Sequence, residues 1–469
     1  MKFVLRLLSL CAAVALSSSA QTFTTMASFN ETDGSSPASL LVQGTDGNLY
    51  GTAQQGGANK QGTIFRITPG GALTTLYSFC PQPGCRDGSD PTVGLTPAAD
   101  GSFYGTALSG GTHSMGTIFR INSEGIMRTL HTFCSEADCA DGGYPESVLV
   151  QGTDGNFYGT ASAGGVNGYG TAFKITPQGT LTTLYTFCSL TSCADGEYPY
   201  GALAQADDGN FYGTAYEGGA YSYGTVFKMT PQGSLTTLYN FCLQAECEDG
   251  ELPHGGLVRG SGGNFYGTTR GGGAYGYGTV FEITTGGALT TLHSFDNNDG
   301  SDPFFSGVVQ ATDGNFYGTT SAGGTGGGLG TVFEMTAAGA LTTLHSFDYS
   351  DGDAPWGGVW QATDGMLYGT TESGGSYGYG TVYGLSVGLS RFVETVPAFG
   401  NVGENVTILG NDLKSSTAVS FNGTPATTFT SSNTAIRVTV PTGATTGTVE
   451  VTTAKGKILK SNVPFDVLP

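Results

Sequence analysis

The residues best suited to chemistry in this chain are aromatic and ionisable residues that break an otherwise repetitive pattern. Aromatic rings stack on sugars and on peptide side chains, while nearby hydroxyls and carboxylates supply hydrogen bonds. This combination favours recognition of an extracellular polysaccharide or a protein. The alternative is that these rings only cover one face of the fold. The candidate ligand-binding residues are Tyr198, Tyr200, Tyr223, His254, Tyr277, Trp356 and Tyr379.

Catalysis is the competing interpretation of the same loops. Glu197, Glu251 or Glu372 would act as the acid or base, with His254 as a partner. A hydrolase or lyase acting on polysaccharide would need two carboxylates at a defined separation. The chain has no Ser-x-Asp-x-Gly-x-Thr-Trp motif, and it has too few arginines to build a cluster for an acidic sugar easily. We therefore favour binding and expect neither a catalytic residue nor a cofactor.

Metal binding has weaker support. Asp296, Asp299 and Asp302 are the richest carboxylate cluster and hence the best calcium candidates. The full spacing of a calcium loop is missing, however, and Asp-Gly is an ordinary turn sequence. We therefore expect no bound metal.

Eight of the nine cysteines form four pairs with identical spacing. Each pair lies in a loop after a predicted strand, and local disulfides in an oxidising compartment are the favoured interpretation. Zinc is the alternative, but four sulfurs from different repeats could not easily converge. The predicted disulfides are Cys80–Cys85, Cys134–Cys139, Cys188–Cys193 and Cys242–Cys247.

Tandem repeats must position all of these residues. The phrase Asp-Gly-Asn-Leu-Tyr-Gly-Thr at 46–52 recurs with spacings of 54, 54, 54, 54, 51 and 51 residues. A period near 50 residues with several short strands per unit indicates a β-propeller, and seven copies predict seven blades. The repeated tyrosines are Tyr50, Tyr104, Tyr158, Tyr212, Tyr266, Tyr317 and Tyr368.

One repeat contains four predicted strands, and the array is incomplete at its C-terminal end. Around Tyr212 the strands are residues 201–205, 211–215, 225–230 and 235–241, joined by turns rich in glycine. The last repeat lacks a Leu-Thr-Thr-Leu strand, whereas Phe23–Phe29 precedes the first repeat and matches that pattern. We therefore expect this N-terminal strand to complete the last blade and close the ring.

The repeats end near residue 387, and residues 388–469 contain further short strands. Strands are predicted at 405–409, 418–421, 436–440 and 448–452, with a last one near 463–467, at the spacing of a β-sandwich. The glycines, Pro397, Pro441 and the valine-rich strands resemble the IPT/TIG group of immunoglobulin-like domains. The resemblance implies a spacer or binding module.

The repeated unit also resembles a known family. Asp-Gly-Asn-Phe-Tyr-Gly-Thr, then Gly-Gly, Gly-Thr-Val-Phe and Leu-Thr-Thr-Leu-x-x-Phe, is similar to the GloVer tandem repeat of exported bacterial proteins. The resemblance covers residues 21–387 and implies a secreted or surface propeller of undefined activity. It supplies no catalytic residues.

The remaining sequence features concern location and partners. Residues 1–20 are typical of a secretory signal peptide, with Lys2 and Arg6 before an apolar stretch that includes Cys11. No other run approaches the length of a membrane span. A formal charge of −20 argues against binding nucleic acid or anionic lipid. We expect a monomer in the periplasm, at the cell surface or outside the cell. A surface spacer without a ligand is the third interpretation.

Overall fold

The computed structural model describes residues 21–305 and 307–468 of the chain. The predicted signal peptide, with Cys11, lies outside the described residues. Regular structure within them is almost entirely β-strand, with no α-helix, so the predicted all-β class is confirmed. Three short 3₁₀ turns span Ala137–Cys139, Thr191–Cys193 and Ala245–Cys247.

Each repeat contributes strands to a four-stranded antiparallel sheet, and we number the repeats one to seven from Tyr50 to Tyr368. The first strands are β2 (Val42–Gln43), β6 (Thr96–Pro97), β10 (Val150–Gln151), β14 (Ala204–Gln205), β18 (Val258–Arg259), β22 (Val309–Gln310) and β26 (Val359–Gln361). The second strands are β3 (Leu49–Ala53), β7 (Phe103–Ala107), β11 (Phe157–Ala161), β15 (Phe211–Ala215), β19 (Phe265–Thr269), β23 (Phe316–Thr320) and β27 (Leu367–Thr371).

The third strands carry the period-2 pattern Thr-x-Phe or Thr-x-Tyr. They are β4 (Thr63–Ile67), β8 (Thr117–Ile121), β12 (Thr171–Ile175), β16 (Thr225–Met229), β20 (Thr279–Ile283), β24 (Thr331–Met335) and β28 (Thr381–Ser386). The fourth strands are β5 (Leu73–Ser78), β9 (Met127–Thr132), β13 (Leu181–Thr186), β17 (Leu235–Asn240), β21 (Leu289–Ser294) and β25 (Leu341–Ser346).

The N-terminal strand β1 (Thr22–Ser28) takes the fourth position in the sheet of repeat seven. It pairs antiparallel with β28, from Thr22 opposite Ser386 to Ser28 opposite Thr381. The unpaired edge that β28 would otherwise present is therefore covered by the other end of the array, which is the pairing expected from the sequence.

Successive repeats pack face to face. The second strand β15 is buried along its length because neighbouring sheets cover both of its faces, whereas the fourth strand β17 is partly exposed. The ring of Tyr158 in repeat three stacks on Phe211 in repeat four, with centroids 4.0 Å apart. A core of the same kind contains Phe29 and Phe65 together with Tyr368 and Val382 of repeat seven.

The four predicted disulfides are present, and each lies within one loop after a fourth strand. No bridge links different repeats among the described residues. This confirms the pairing that the sequence predicts.

Residues 394–468 form further β-sheets. The strands are β29 (Glu394–Val396), β30 (Phe399–Asn401), β31 (Asn405–Leu409), β32 (Ala418–Phe421), β33 (Thr424–Pro425), β34 (Phe429–Ser431), β35 (Ala435–Thr439), β36 (Val449–Thr452), β37 (Ile458–Lys460) and β38 (Asp466–Leu468). The sheets β29-β31-β35-β34 and β33-β32-β36-β37 enclose a common core that contains Ile408, Phe421 and Val451. We call these strands the C-terminal unit.

The C-terminal unit contacts the Asp-Gly turns between the first and second strands of the repeats. Thr434 Oγ1 donates to the carbonyl oxygen of Thr45 at 2.8 Å, and Asn411 Nδ2 donates to Thr363 Oγ1 at 2.8 Å. Thr407 Oγ1 donates to the carbonyl oxygen of Ala99 at 3.3 Å. The turns of repeats one, two and seven are therefore contacted by this unit, while the loops after the second and fourth strands lie at the opposite ends of the strands.

Candidate ligand-binding site at the centre of the repeats

A single position carries a different residue in every repeat. It directly follows the proline of the loop that leads into each first strand. In repeat four this proline, Pro199, packs against Gly170 of the preceding repeat. A Cβ on Gly170 would lie 2.6 Å from Pro199, and its φ of +103° also favours glycine. The residues after the prolines are Ala38, Thr92, Glu146, Tyr200, His254, Phe304 and Trp356.

Six of these seven residues line one cavity of about 230 Å³. In repeat six the neighbouring Phe305 takes part in place of Phe304. Because all seven repeats contribute to its lining, the cavity lies at their common centre, and we call it the axial cavity. Its other walls are mostly aliphatic and glycine, including Leu40, Val148, Leu257 and Val308.

A continuous group of stacked rings forms one side of the axial cavity. His254 lies between Tyr200, at 4.5 Å between centroids and 8° between planes, and Phe304, at 4.3 Å and 23°. Phe305 meets His254 edge-on, and both phenylalanines contact Trp356 at 5.4 and 5.8 Å. Each such ring pair stabilises its geometry by about 1 kcal/mol, so the rings form a preorganised wall.

His254 is held neutral in this wall. Burial, followed by the charge of Arg270, lowers the pKa of His254 to about 3. Its side chain is only 6% exposed, and its Nδ1 has no hydrogen-bond partner within the described part of the chain. Nδ1 is itself buried, so His254 contributes to this wall through its stacked ring.

Glu146 is the one carboxylate in the lining of the axial cavity. Burial raises its pKa to about 7, although a hydrogen bond with Ser162 acts in the opposite direction. The charge of Glu146 also affects the pKa of the nearby Tyr200. Burial, and next the charge of Glu146, raise the pKa of Tyr200 to about 12. None of the ion pairs between described residues includes Glu146.

The nearest arginine is already engaged. Arg270 Nε donates to Asp302 at 2.9 Å, and Nη1 donates to the Tyr216 hydroxyl at 3.4 Å. Its guanidinium also lies 4.7 Å from the centroid of Phe304, outside the lining of the cavity. Arg270 therefore braces the outer side of the aromatic wall and leaves Glu146 without a counter-ion.

The structure divides the predicted ligand-binding residues into two groups. Tyr200, His254 and Trp356 come together in the axial cavity. Tyr198 contacts Tyr169 at 5.6 Å between centroids, outside the lining. Tyr223, Tyr277 and Tyr379 lie in glycine-rich loops and are 40%, 42% and 39% exposed.

Sequence reasoning missed Glu146, which shares its position with Tyr200 and His254. The signal that would have found it is the position after each proline, compared across the repeats. Conversely, Glu197, Glu251 and Glu372, the carboxylates of the catalytic interpretation, are outside the lining of the axial cavity.

The repeated histidines and tyrosines have a structural role. Each donates to the aspartate of the Asp-Gly turn that follows its strand, for example Tyr239 to Asp249 at 2.8 Å. His293 Nε2 and His345 Nε2 make the equivalent contact with Asp299 and Asp351 at 2.8 Å. These contacts hold the loop after the fourth strand, as expected for residues that every repeat needs.

The three calcium candidates already have partners within the protein, and Asp296 and Asp299 each accept from the other's backbone N–H. Asp299 contacts His293, Asp302 accepts from Arg270, and Asp296 caps the backbone N–H of Asn298. Within the described ranges, the groups that could gather around a metal are Cys188, Cys193 and Glu197, and Cys242, Cys247 and Glu251. Their sulfurs are in disulfides, so they are not thiolate ligands.

No helix in the described part of the chain is long and apolar enough to cross a membrane. Sheets repeated around a central cavity define an all-β, propeller-like repeat protein. The sequence model of the Gloeobacter/Verrucomicrobia repeat family matches this chain at residues 12–141, 85–262 and 242–441. The chain therefore belongs to the Gloeobacter/Verrucomicrobia repeat family.

Similarity to solved structures is limited to the fold. The extracellular domain of a one-component system from B. thetaiotaomicron is 11% identical with a TM-score of 0.51, covering 96% of this chain and 58% of that chain. This chain thus spans less than two thirds of that protein. A fungal alcohol oxidase of the AA5 family, solved with copper, is 13% identical with a TM-score of 0.50, covering 94% and 98%.

A periplasmic gluconolactonase from Pseudomonas aeruginosa is 14% identical with a TM-score of 0.41, covering 70% of this chain and 93% of its own. Such a score gives no basis for assigning an activity. No curated protein matches the sequence.

Proposed function

We propose that this chain is an exported, non-enzymatic binding protein that recognises an extracellular glycan through the axial cavity. The observation that carries the proposal is the ring of seven different residues at one repeated position, six of which line a single cavity. A position that served folding alone would be expected to carry the same residue in every repeat, as the Tyr or His contacts to aspartate largely do.

The proposed architecture is a seven-bladed propeller closed by β1. Two further contacts support closure between repeats seven and one. Gln43 Oε1 accepts from the Thr363 backbone N–H at 3.2 Å and from its hydroxyl at 2.9 Å, as Gln361 and Gln205 accept from the repeats before them. Gly380 of repeat seven also packs on Pro37 of repeat one, the same contact that Gly170 makes with Pro199.

The size and chemistry of the axial cavity support a small cyclic unit as the part of the ligand that enters. A volume of about 230 Å³ is below that of a pocket for a drug-sized molecule. Tyr200, Phe305 and Trp356 offer apolar ring surface on which the apolar face of a sugar stacks, while the Glu146 carboxylate accepts hydrogen bonds. A chain end fits these limits better than the interior of a polysaccharide.

Export is supported by the four disulfides, which persist in oxidising compartments. Residues 1–20 would act as the signal peptide that directs export. We propose that residues 388–469 are an IPT/TIG-like spacer, because their contacts with the Asp-Gly turns leave the loops around the axial cavity uncovered.

The test is a glycan array followed by calorimetry on the best binder. Trp356→Ala removes a ring from the lining, whereas Tyr277→Ala removes an exposed ring from a glycine-rich loop and serves as the control. We expect the affinity of the Trp356 variant to fall about tenfold, since a stacked ring contributes on the order of 1 kcal/mol and more when buried. The control should bind like the parent. Equal binding by both variants would exclude the axial cavity as the site.

A further inference from the structure

We infer that the axial cavity selects a small organic cation, an ammonium group carried by a sugar ring or a short alkyl chain, with Glu146 as its counter-ion. This inference rests on the proposed function, because it names the ligand of the same cavity.

The first step is that Glu146 has no positively charged partner in the described part of the chain. Glu146 lines the cavity, and among the described residues no lysine, arginine or histidine pairs with it. A partly buried carboxylate without a counter-ion destabilises the fold, and a ligand that brings a positive charge removes that penalty. The nearby Ser162 hydroxyl donates to the carbonyl oxygen of Tyr144 at 3.0 Å and carries no charge that could compensate Glu146.

The second step concerns the aromatic residues of the cavity lining. Cations are attracted to the faces of Trp and Tyr rings, and ammonium groups are bound in cages of such rings. Tyr200, Phe305 and Trp356 line the cavity that also contains Glu146. A carboxylate and aromatic rings around one small volume match an ammonium group better than a neutral hydroxyl.

The third step concerns the other charges near the cavity. His254 is neutral and therefore does not repel a cation. Arg270 is held by Asp302 and Tyr216, and it is outside the cavity lining. The formal charge of −20 on the whole chain raises the local concentration of cations.

A metal ion fits this site less well than an organic cation. Calcium requires six to eight oxygen ligands, and magnesium requires an octahedral set. Glu146 is the only carboxylate in the lining, and the apolar and aromatic walls offer few further oxygens. The cavity is also larger than a single ion needs, since about 10–15 Å³ of such space is enough for one water molecule.

The experiment uses calorimetry on the full exported chain with two matched pairs of probes. Choline is compared with 3,3-dimethylbutan-1-ol, its neutral isostere, and glucosamine with glucose, at neutral pH, where the glucosamine amine is still largely protonated. We expect at least one cation to bind about tenfold or more tightly than its neutral partner. Preference within the sugar pair alone would identify an amino sugar as the source of the ammonium group, and preference within the alkyl pair alone an alkylammonium compound.

Glu146→Gln should abolish this preference and leave the neutral probe unchanged, while Glu372→Gln, a carboxylate outside the lining, should retain it. The inference is wrong if neither cation is preferred, or if the preference survives Glu146→Gln. In that case, glycan binding that is still lost in Trp356→Ala would leave the proposed function intact. Glycan binding unaffected by Trp356→Ala would exclude the cavity itself.

Discussion

A partly buried carboxylate without a counter-ion destabilises a folded protein, and Glu146 is such a group in the wall of the axial cavity. Burial disfavours the charged form of Glu146 and therefore raises its pKa. Residues that reduce stability in this way are commonly retained for function. Its neighbours titrate far from neutrality, with His254 near 3 and Tyr200 near 12, so a change between pH 4 and 8 at this site belongs to Glu146.

We predict that Glu146→Gln is more stable than the parent at high pH and equally stable at low pH. The pKa of Glu146 rises from 4.5 to about 7 on folding, so its penalty is absent below pH 4.5 and complete above pH 7. The expected gain at alkaline pH is on the order of 1–3 kcal/mol. Thermal or urea unfolding across this pH range would measure it.

Glu394 of the C-terminal unit is the control for this pH dependence, since burial also raises its pKa to about 7. Glu394→Gln should show the same pH profile without any effect on ligand binding. A Glu146→Gln variant that loses stability at alkaline pH would contradict the assignment of Glu146 as an uncompensated charge.

At the scale of single elements, the loop after the fourth strand is held in two ways. In repeats one to four this loop contains a disulfide, whereas the loops at 296–303 and 348–355, after the fourth strands of repeats five and six, lack cysteine. Both kinds of loop share an aspartate that accepts from a Tyr or His of the preceding strand. The aspartate contact is therefore common to both kinds, and the disulfide is an addition.

We predict that replacing Cys134 and Cys139 together with serine lowers the melting temperature by only a few degrees. Closing so short a loop contributes on the order of 2 kcal/mol in the chain-entropy model. Asp141→Asn is the comparison, because Asp141 is buried and accepts from Ser135 and contacts His131. We expect it to cost as much or more. Calorimetric scans would compare the two, and a collapse of the fold in the double serine variant would show that the disulfide is essential.

At the scale of the whole molecule, β1 and the residue that follows it contact repeats from both ends of the array. Phe23 stacks on His345 at 3.7 Å and contacts Tyr383 at 5.3 Å, so this strand packs on repeats six and seven. Phe29, directly after it, packs on Phe65 of repeat one at 5.0 Å. Removing the strand would expose one edge of β28 and open these cores.

We predict that deletion of residues 21–30 lowers the melting temperature by several degrees and causes association through the exposed edge. Deletion of residues 388–469 is the comparison, since it removes a unit with its own core and leaves β1 paired with β28. Light scattering and thermal unfolding would follow both variants. A stable and monomeric protein after deletion of 21–30 would show that β1 is dispensable.

The sequence by itself determined the repeated sheets, the disulfide pairs and the pairing of the N-terminal strand. Each of these follows from local hydrophobic alternation, from short spacings, or from one repeat compared with the next. Only the tertiary structure decided which aromatic residues meet. Tyr200 and Trp356 line the cavity while Tyr277 remains exposed, although the sequence marks all three as candidate ligand-binding residues. Whether a loop residue faces the centre depends on the packing of all the sheets around it, which brings together residues more than 200 positions apart, and no local pattern records that geometry.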